Sequence, residues 1–249
     1  MSLHTIVQRL EAGTRTRIVA FGSSNTERRI EGLHWVDWLD LGLAQTYGRA
    51  HHCINTGLGG DTSRGLLARF DEDVALYRPH AVFVTIGGND AKPDSGLDAA
   101  TYRANLLALE ARIRALGATT IFQTYYAADT EALGPEHGPR FLAFMEIIRE
   151  VARATGSPLI DHHRRWEPVR LRYPELYRTL MLDALHVNPL GNMVMGLDLL
   201  RAFDAVLDRA QLAGCVAGLW IGQVMDTLEV ADGAVERVET RLERRLEGF

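Results

Sequence analysis

The chain has little cysteine, no long apolar run and no excess of positive charge. Its two cysteines, Cys53 and Cys215, lie far apart, and neither sits in a Cys-x-x-Cys pair or at a zinc-ligand spacing. Both read as small, buried apolar residues. No apolar stretch approaches the roughly 18 to 20 residues that a bilayer-spanning helix needs, and Met1 to Leu10 lacks a signal-peptide layout. A cytoplasmic location without a membrane partner is therefore expected. The formal charge of -5 offers no basic field for nucleic acid or anionic lipid. Two nucleophile and phosphate signatures are also missing. The Gly-rich segment has no Lys-Ser/Thr ending, which excludes a Walker A loop, and no Gly-x-Ser-x-Gly elbow occurs, which argues against an α/β-hydrolase.

What is present suits one catalytic domain with an appendage. With 249 residues, 47% of them hydrophobic, the chain can bury one substantial core. Short apolar runs at 17–21, 51–56, 81–86, 119–123 and 158–161 alternate with longer stretches of helical period, the pattern of strands joined by crossover helices in a mostly parallel sheet. Ala81 to Ile86 is apolar at nearly every position, so both faces of that strand should be covered by helices. Tyr102, Leu106, Leu109, Ile113 and Leu116 mark one helix, ending at Gly117; Phe141, Met145, Ile148 and Val151 mark another, ending near Gly156. Asn188 and Pro189 form an N-cap and first-turn pair for a third. Residues 1–212 are read as the catalytic domain. Residues 213–249 are read as a helical tail whose apolar positions, including Val235, Val238, Leu242 and Leu246, need a surface on this domain or on a second copy.

In open α/β sheets ligands bind beyond the carboxyl ends of the strands. Four segments fall there: Gly22-Ser23-Ser24-Asn25-Thr26, Asn55 to Thr62 with Gly57, Gly59 and Gly60, Gly87-Gly88-Asn89-Asp90, and Asp183-Ala184-Leu185-His186. Acyl transfer by a serine needs a hydroxyl, an imidazole to take its proton, a carboxylate to orient the imidazole, and donors for the oxyanion. Ser24 supplies a hydroxyl ahead of a helical stretch. Asp183 and His186 lie three residues apart on one loop, and the Gly-rich segment and the Asn89 amide offer donors.

These four blocks, in this order and at these strand ends, resemble the SGNH, or GDSL-type, hydrolase superfamily over roughly residues 15 to 212. The resemblance implies a flavodoxin-like three-layer α/β/α fold around a five-stranded parallel sheet. It implies Ser24 as nucleophile, His186 as base and Asp183 as the third member of the triad. The implied oxyanion hole consists of the Ser24 and Gly60 N–H groups and the Asn89 side chain. The implied activity is hydrolysis of a carboxylic ester through an acyl-enzyme, with no cofactor or metal. A small acyl ester or an acetylated sugar is the preferred substrate class. One departure stands out: the family usually has Gly-Asp-Ser where this chain has Gly22-Ser23-Ser24. The nucleophile is retained, but hydrogen bonds around its loop must differ.

Tyr125, Tyr126 and Trp166 follow the fourth strand or precede Asp183 and are candidates for lining a substrate pocket. Two other readings remain open. One is a metal-dependent phosphoesterase using Asp90, Asp161 and the nearby histidines His51, His52, His162 and His163. Adjacent histidines on a strand point to opposite faces, which weakens that reading. The other is a binding module that has lost catalysis, suggested by Ser23.

Overall fold

The computed structural model describes residues 2–205, 207 and 215–246, with side chains at 2–205, 207 and 215–231. Five strands, β1 (Thr16–Gly22), β2 (His51–Asn55), β3 (Ala81–Thr85), β4 (Thr119–Gln123) and β5 (Leu159–Ile160), form one parallel sheet in the order β2-β1-β3-β4-β5. This is the three-layer α/β/α arrangement expected from the alternating pattern. The chain moves outward from β1 to β2 and then crosses back to β3. The carboxyl ends of β1 and β3 therefore flank the crevice at which such sheets bind ligands.

The two-residue alternation of the central strands sends side chains into two separate cores. Ile18, Ala20, Ala81, Phe83 and Ile121 face one helical layer. It is built from α1 (Leu3–Glu11), α2 (Trp35–Tyr47), α8 (His162–Arg172), α9 (Pro174–Arg178), α10 (Pro189–Ala202) and α11 (Val216–Leu246). Val19, Phe21, Val82, Val84 and Phe122 face the other. That layer holds α3 (Ser63–Ala68), α4 (Phe70–Asp73), α5 (Ala99–Ala115) and α7 (His137–Thr155), with the short α6 (Thr130–Leu133) leading into α7. β3 is buried along its whole length, as its unbroken apolar run requires.

The helix boundaries follow their capping chemistry. Asp98 accepts from Thr101 N–H at the start of α5, and Asn188 accepts from Gly191 N–H at the start of α10, with Pro189 in the first turn. Gly156 ends α7 in the left-handed conformation. The Asp161-His162-His163 segment is not a strand. Asp161 caps α8, and both histidines lie in its first turn.

The tail packs on its own domain. Cys215, Ile221, Met225 and Leu228 are buried in the first core, with α11 resting on α10 and α8. Gly218 permits the approach, since a Cβ there would stand 2.7 Å from Met193 Sδ. Arg165 of α8 ties the layer together through ion pairs to Asp198 of α10 and to Asp226 and Glu229 of α11. The stripe at Val235, Val238, Leu242 and Leu246 lies outside the described side chains.

Candidate active site

Each of the four sequence segments reaches the carboxyl edge of the sheet or the loop above it. Ser24 follows β1 directly, in a turn closed by the Thr26 and Glu27 N–H groups donating to the Ser23 carbonyl. Its hydroxyl oxygen lies 2.8 Å from His186 Nε2. On the far side of the ring, His186 Nδ1 lies 2.8 and 2.9 Å from the two oxygens of Asp183. With a proton on Nδ1 held by the carboxylate, Nε2 is the acceptor that faces Ser24. Asp183 is fixed as well, because its Oδ1 accepts from the Leu185 and His186 N–H groups. Burial alone would raise its pKa, but the Leu185 N–H and the His186 imidazole outweigh it and hold the carboxyl below its ordinary range. The Met181–Val187 bridge closes this loop at its base.

The oxyanion side is equally ordered. Gly60 adopts φ +78°, a left-handed conformation suited to glycine. Neither its N–H nor that of Ser24 has an acceptor among the described residues. The Asn89 amide donates one proton to the Asp61 carbonyl at 2.9 Å, which fixes its plane against the Gly-rich loop; the second proton has no acceptor among the described residues. Asp90 accepts from Ser63 N–H, and Asp61 pairs with Arg69, so both acids hold loops in place. Burial raises the Asp90 pKa, opposed by the hydrogen bond from Ser63.

The three aromatics read as possible pocket lining are interior residues instead. Tyr125, Tyr126 and Trp166 are at most 1% exposed. An apolar ring with a polar tip is buried where the tip finds a partner, and here the two tyrosine hydroxyls find the site loops. Tyr125 meets the Ser23 hydroxyl at 2.9 Å. Tyr126 OH lies against Asn25 Oδ1 and the Leu185 carbonyl and accepts from Val187 N–H. Trp166 packs against Tyr126, with ring centroids 5.3 Å apart. Surface near the reacting pair is supplied instead by Arg29, Ile30 and Leu182.

Arg69 escaped the sequence reading. Its guanidinium donates to Asp61, to the Thr56 carbonyl and to the Gly22 carbonyl, and lies over the Phe21 ring. It thereby joins the end of β1 to both ends of the Gly-rich segment. An arginine between two short helices carries no local signal of such a task.

The groups invoked for a metal phosphoesterase do not converge. Asp161 is neutralised by Arg149 at 2.7 Å, and Asp90 serves Ser63. His162 Nε2 meets the Gln123 side chain, and His51 and His52 lie on opposite faces of β2, one buried and one exposed. The three possible ligand residues that cluster among the described residues are Asp40, His51 and Cys53, apart from the crevice. The largest described cavity, about 600 Å³, also lies elsewhere, between the β5 edge, α8 and α10.

A hydroxyl, imidazole and carboxylate in hydrogen-bonded sequence at the carboxyl edge of this sheet order fit an SGNH-type hydrolase scaffold. Residues 20–194 match the GDSL-like lipase/acylhydrolase family, and the chain belongs to that family. Among curated relatives, Esterase TesA of Pseudomonas aeruginosa is 32% identical over 127 residues. That match covers 51% of this chain and 59% of the relative, so the chain spans about three fifths of that protein's length. An acetylxylan esterase of Geobacillus stearothermophilus is 26% identical over 160 residues, covering 59% of this chain and 70% of the relative. The solved structure of Axe2, an acetylxylan esterase from the same organism, superposes with a TM-score of 0.67 at 23% identity, covering 78% of this chain and 96% of that one. The likeness to Axe2 shows the shared fold.

Proposed function

We propose that the protein is a serine esterase that cleaves small carboxylic esters by two-step acyl transfer to water. The observation that carries this reading is the continuous chain Ser24 Oγ, His186 Nε2, His186 Nδ1, Asp183. In the first step Ser24 Oγ bonds to the ester carbonyl carbon while His186 Nε2 takes its proton, and the carbonyl oxygen becomes an oxyanion. The Ser24 and Gly60 N–H groups and the second Asn89 proton are the donors available to it. The bond to the alcohol oxygen then breaks, and that oxygen receives the proton from His186. Water enters by the same route in reverse, and the acid leaves.

A short acyl group, including the acetyl group of an acetylated sugar, is the preferred substrate. The family membership and the acetylxylan esterases among the relatives support that class. The test is hydrolysis of p-nitrophenyl acetate, butyrate and octanoate by the wild type and Ser24→Ala, with and without a chelator. The expected result is a preference for the short esters, indifference to the chelator and near-complete loss of activity in Ser24→Ala. Equal rates for wild type and Ser24→Ala would overturn the reading.

A further inference from the structure

Arg28 and Arg29 follow the nucleophile loop side by side and are used differently. Arg28 is ion-paired with Asp37. Arg29 has no carboxylate partner among the described residues, and its Nη1 lies 3.3 Å from His186 Nε2, the atom that also faces Ser24. Its side chain is exposed, so an unneutralised guanidinium stands at the lip of the crevice beside Ile30 and Leu182.

The side of the imidazole on which this charge lies matters. In acyl transfer the proton taken from Ser24 leaves His186 through Nε2 and goes to the oxygen of the departing alcohol. That oxygen must approach Nε2, so the alcohol half of the ester passes the Arg29 guanidinium. A planar guanidinium binds carboxylate or phosphate through paired hydrogen bonds, and a neutral group gains much less there.

We infer that Arg29 selects esters whose leaving alcohol carries an anionic group, a carboxylate or a phosphate, a few bonds from the ester oxygen. The inference rests on the serine-esterase reading above and narrows it. The chemistry is unchanged: the acyl carbon bonds to Ser24 Oγ, the ester C–O bond breaks, and the alcohol leaves protonated from His186. What Arg29 adds is attraction for the departing half, and with it discrimination against cationic leaving groups.

The test compares matched pairs of acetate esters. One pair is the acetates of 3-hydroxybenzoate and 3-hydroxybenzamide, which differ in a carboxylate against a carboxamide. The other is 1-acetylglycerol 3-phosphate against 1-acetylglycerol. For each enzyme the ratio of kcat/KM, anionic over neutral, is measured for wild type, Arg29→Gln, Arg29→Lys and Arg28→Gln. Intrinsic reactivities cancel when these ratios are compared between enzymes. The wild-type ratio for at least one pair is expected to exceed that of Arg29→Gln by roughly tenfold, with Arg29→Lys in between and Arg28→Gln at the wild-type value. The pair that responds names the anion recognised. The preference should also shrink as salt is raised, since the charge is exposed. Ratios equal in wild type and Arg29→Gln, or lowered as much by Arg28→Gln, would overturn the inference while leaving the esterase reading intact. Absence of hydrolysis of all four esters, together with no labelling of Ser24 by a fluorophosphonate, would overturn both.

Discussion

The Tyr126 hydroxyl lies 2.5 Å from Asn25 Oδ1 and so ties the residue after Ser24 to the loop that carries His186. The same hydroxyl accepts from Val187 N–H at 3.0 Å, and the Asn25 amide donates to the Leu185 carbonyl at 3.3 Å. The two loops come from distant parts of the sequence, and this buried knot sets the distance between Ser24 and His186.

Tyr126→Phe keeps the ring packed on Trp166 but takes the hydroxyl out of the knot, leaving only the Asn25–Leu185 bond. It is expected to lower kcat about tenfold with little change in KM, because near-attack geometry is lost while the outer surface is untouched. Buried groups left without a partner should cost about 1 to 3 kcal/mol of stability. Steady-state kinetics and urea denaturation check the two effects; a change confined to KM would contradict the positioning role.

Asp183→Asn retains the shape of the triad but can stabilise the wrong imidazole tautomer. A fall in kcat of about a thousandfold or more is expected, with KM within a few-fold of wild type. Single-turnover kinetics with p-nitrophenyl acetate would separate the acylation step from product release. Acylation at wild-type speed would remove Asp183 from the triad.

Arg69→Met leaves the Thr56 carbonyl and Asp61 Oδ2 without their donor in a largely buried setting, while the Gly22 carbonyl keeps only the Leu58 N–H. The expected cost is about 3 kcal/mol of stability, and kcat should fall because the Gly-rich loop loses its anchor. Thermal and urea unfolding measure the first effect. An active variant of unchanged stability would show that the loop holds itself.

Ser23→Ala removes the partner of the buried Tyr125 hydroxyl without touching Ser24. A loss of about 1 kcal/mol in urea denaturation is expected, with fluorophosphonate labelling of Ser24 retained. Loss of labelling would place Ser23, rather than Ser24, at the reaction.

Two buried groups around the cavity beside β5 should oppose each other in acid. Burial raises the Asp198 pKa to about 6, against the pull of Arg165, so the folded state holds a proton that the unfolded chain has released. Its stabilising share is present below pH 3.8 and is lost as pH rises to about 6. Burial lowers the His162 pKa from 6.5 to about 4, so the unfolded chain takes the proton first and stability is lost as pH falls through that window. Each contribution is about 3 kcal/mol, and between about pH 4 and pH 6 these two should largely cancel. Asp198→Asn should make stability rise with pH there, and His162→Gln should make it fall. Urea midpoints across that range read the slopes, and parallel profiles for all three proteins would contradict the assignment.

The sequence by itself determined the sheet, because apolar runs such as 81–86 have to be covered on both faces. It also determined particular helix ends, through local caps at Asn188 and Gly156. Ser24, Gly60, Asn89, Asp183 and His186 were legible because each follows a strand or shares a short loop, and their order along the chain is itself a pattern. Tertiary structure alone decided the tasks of Tyr125, Tyr126 and Arg69 and the positions of Trp166 and Arg29. The sequence marks a tyrosine or an arginine but not the direction of its polar end, and that direction depends on partners 8 to 157 residues away that only folding brings within hydrogen-bond range.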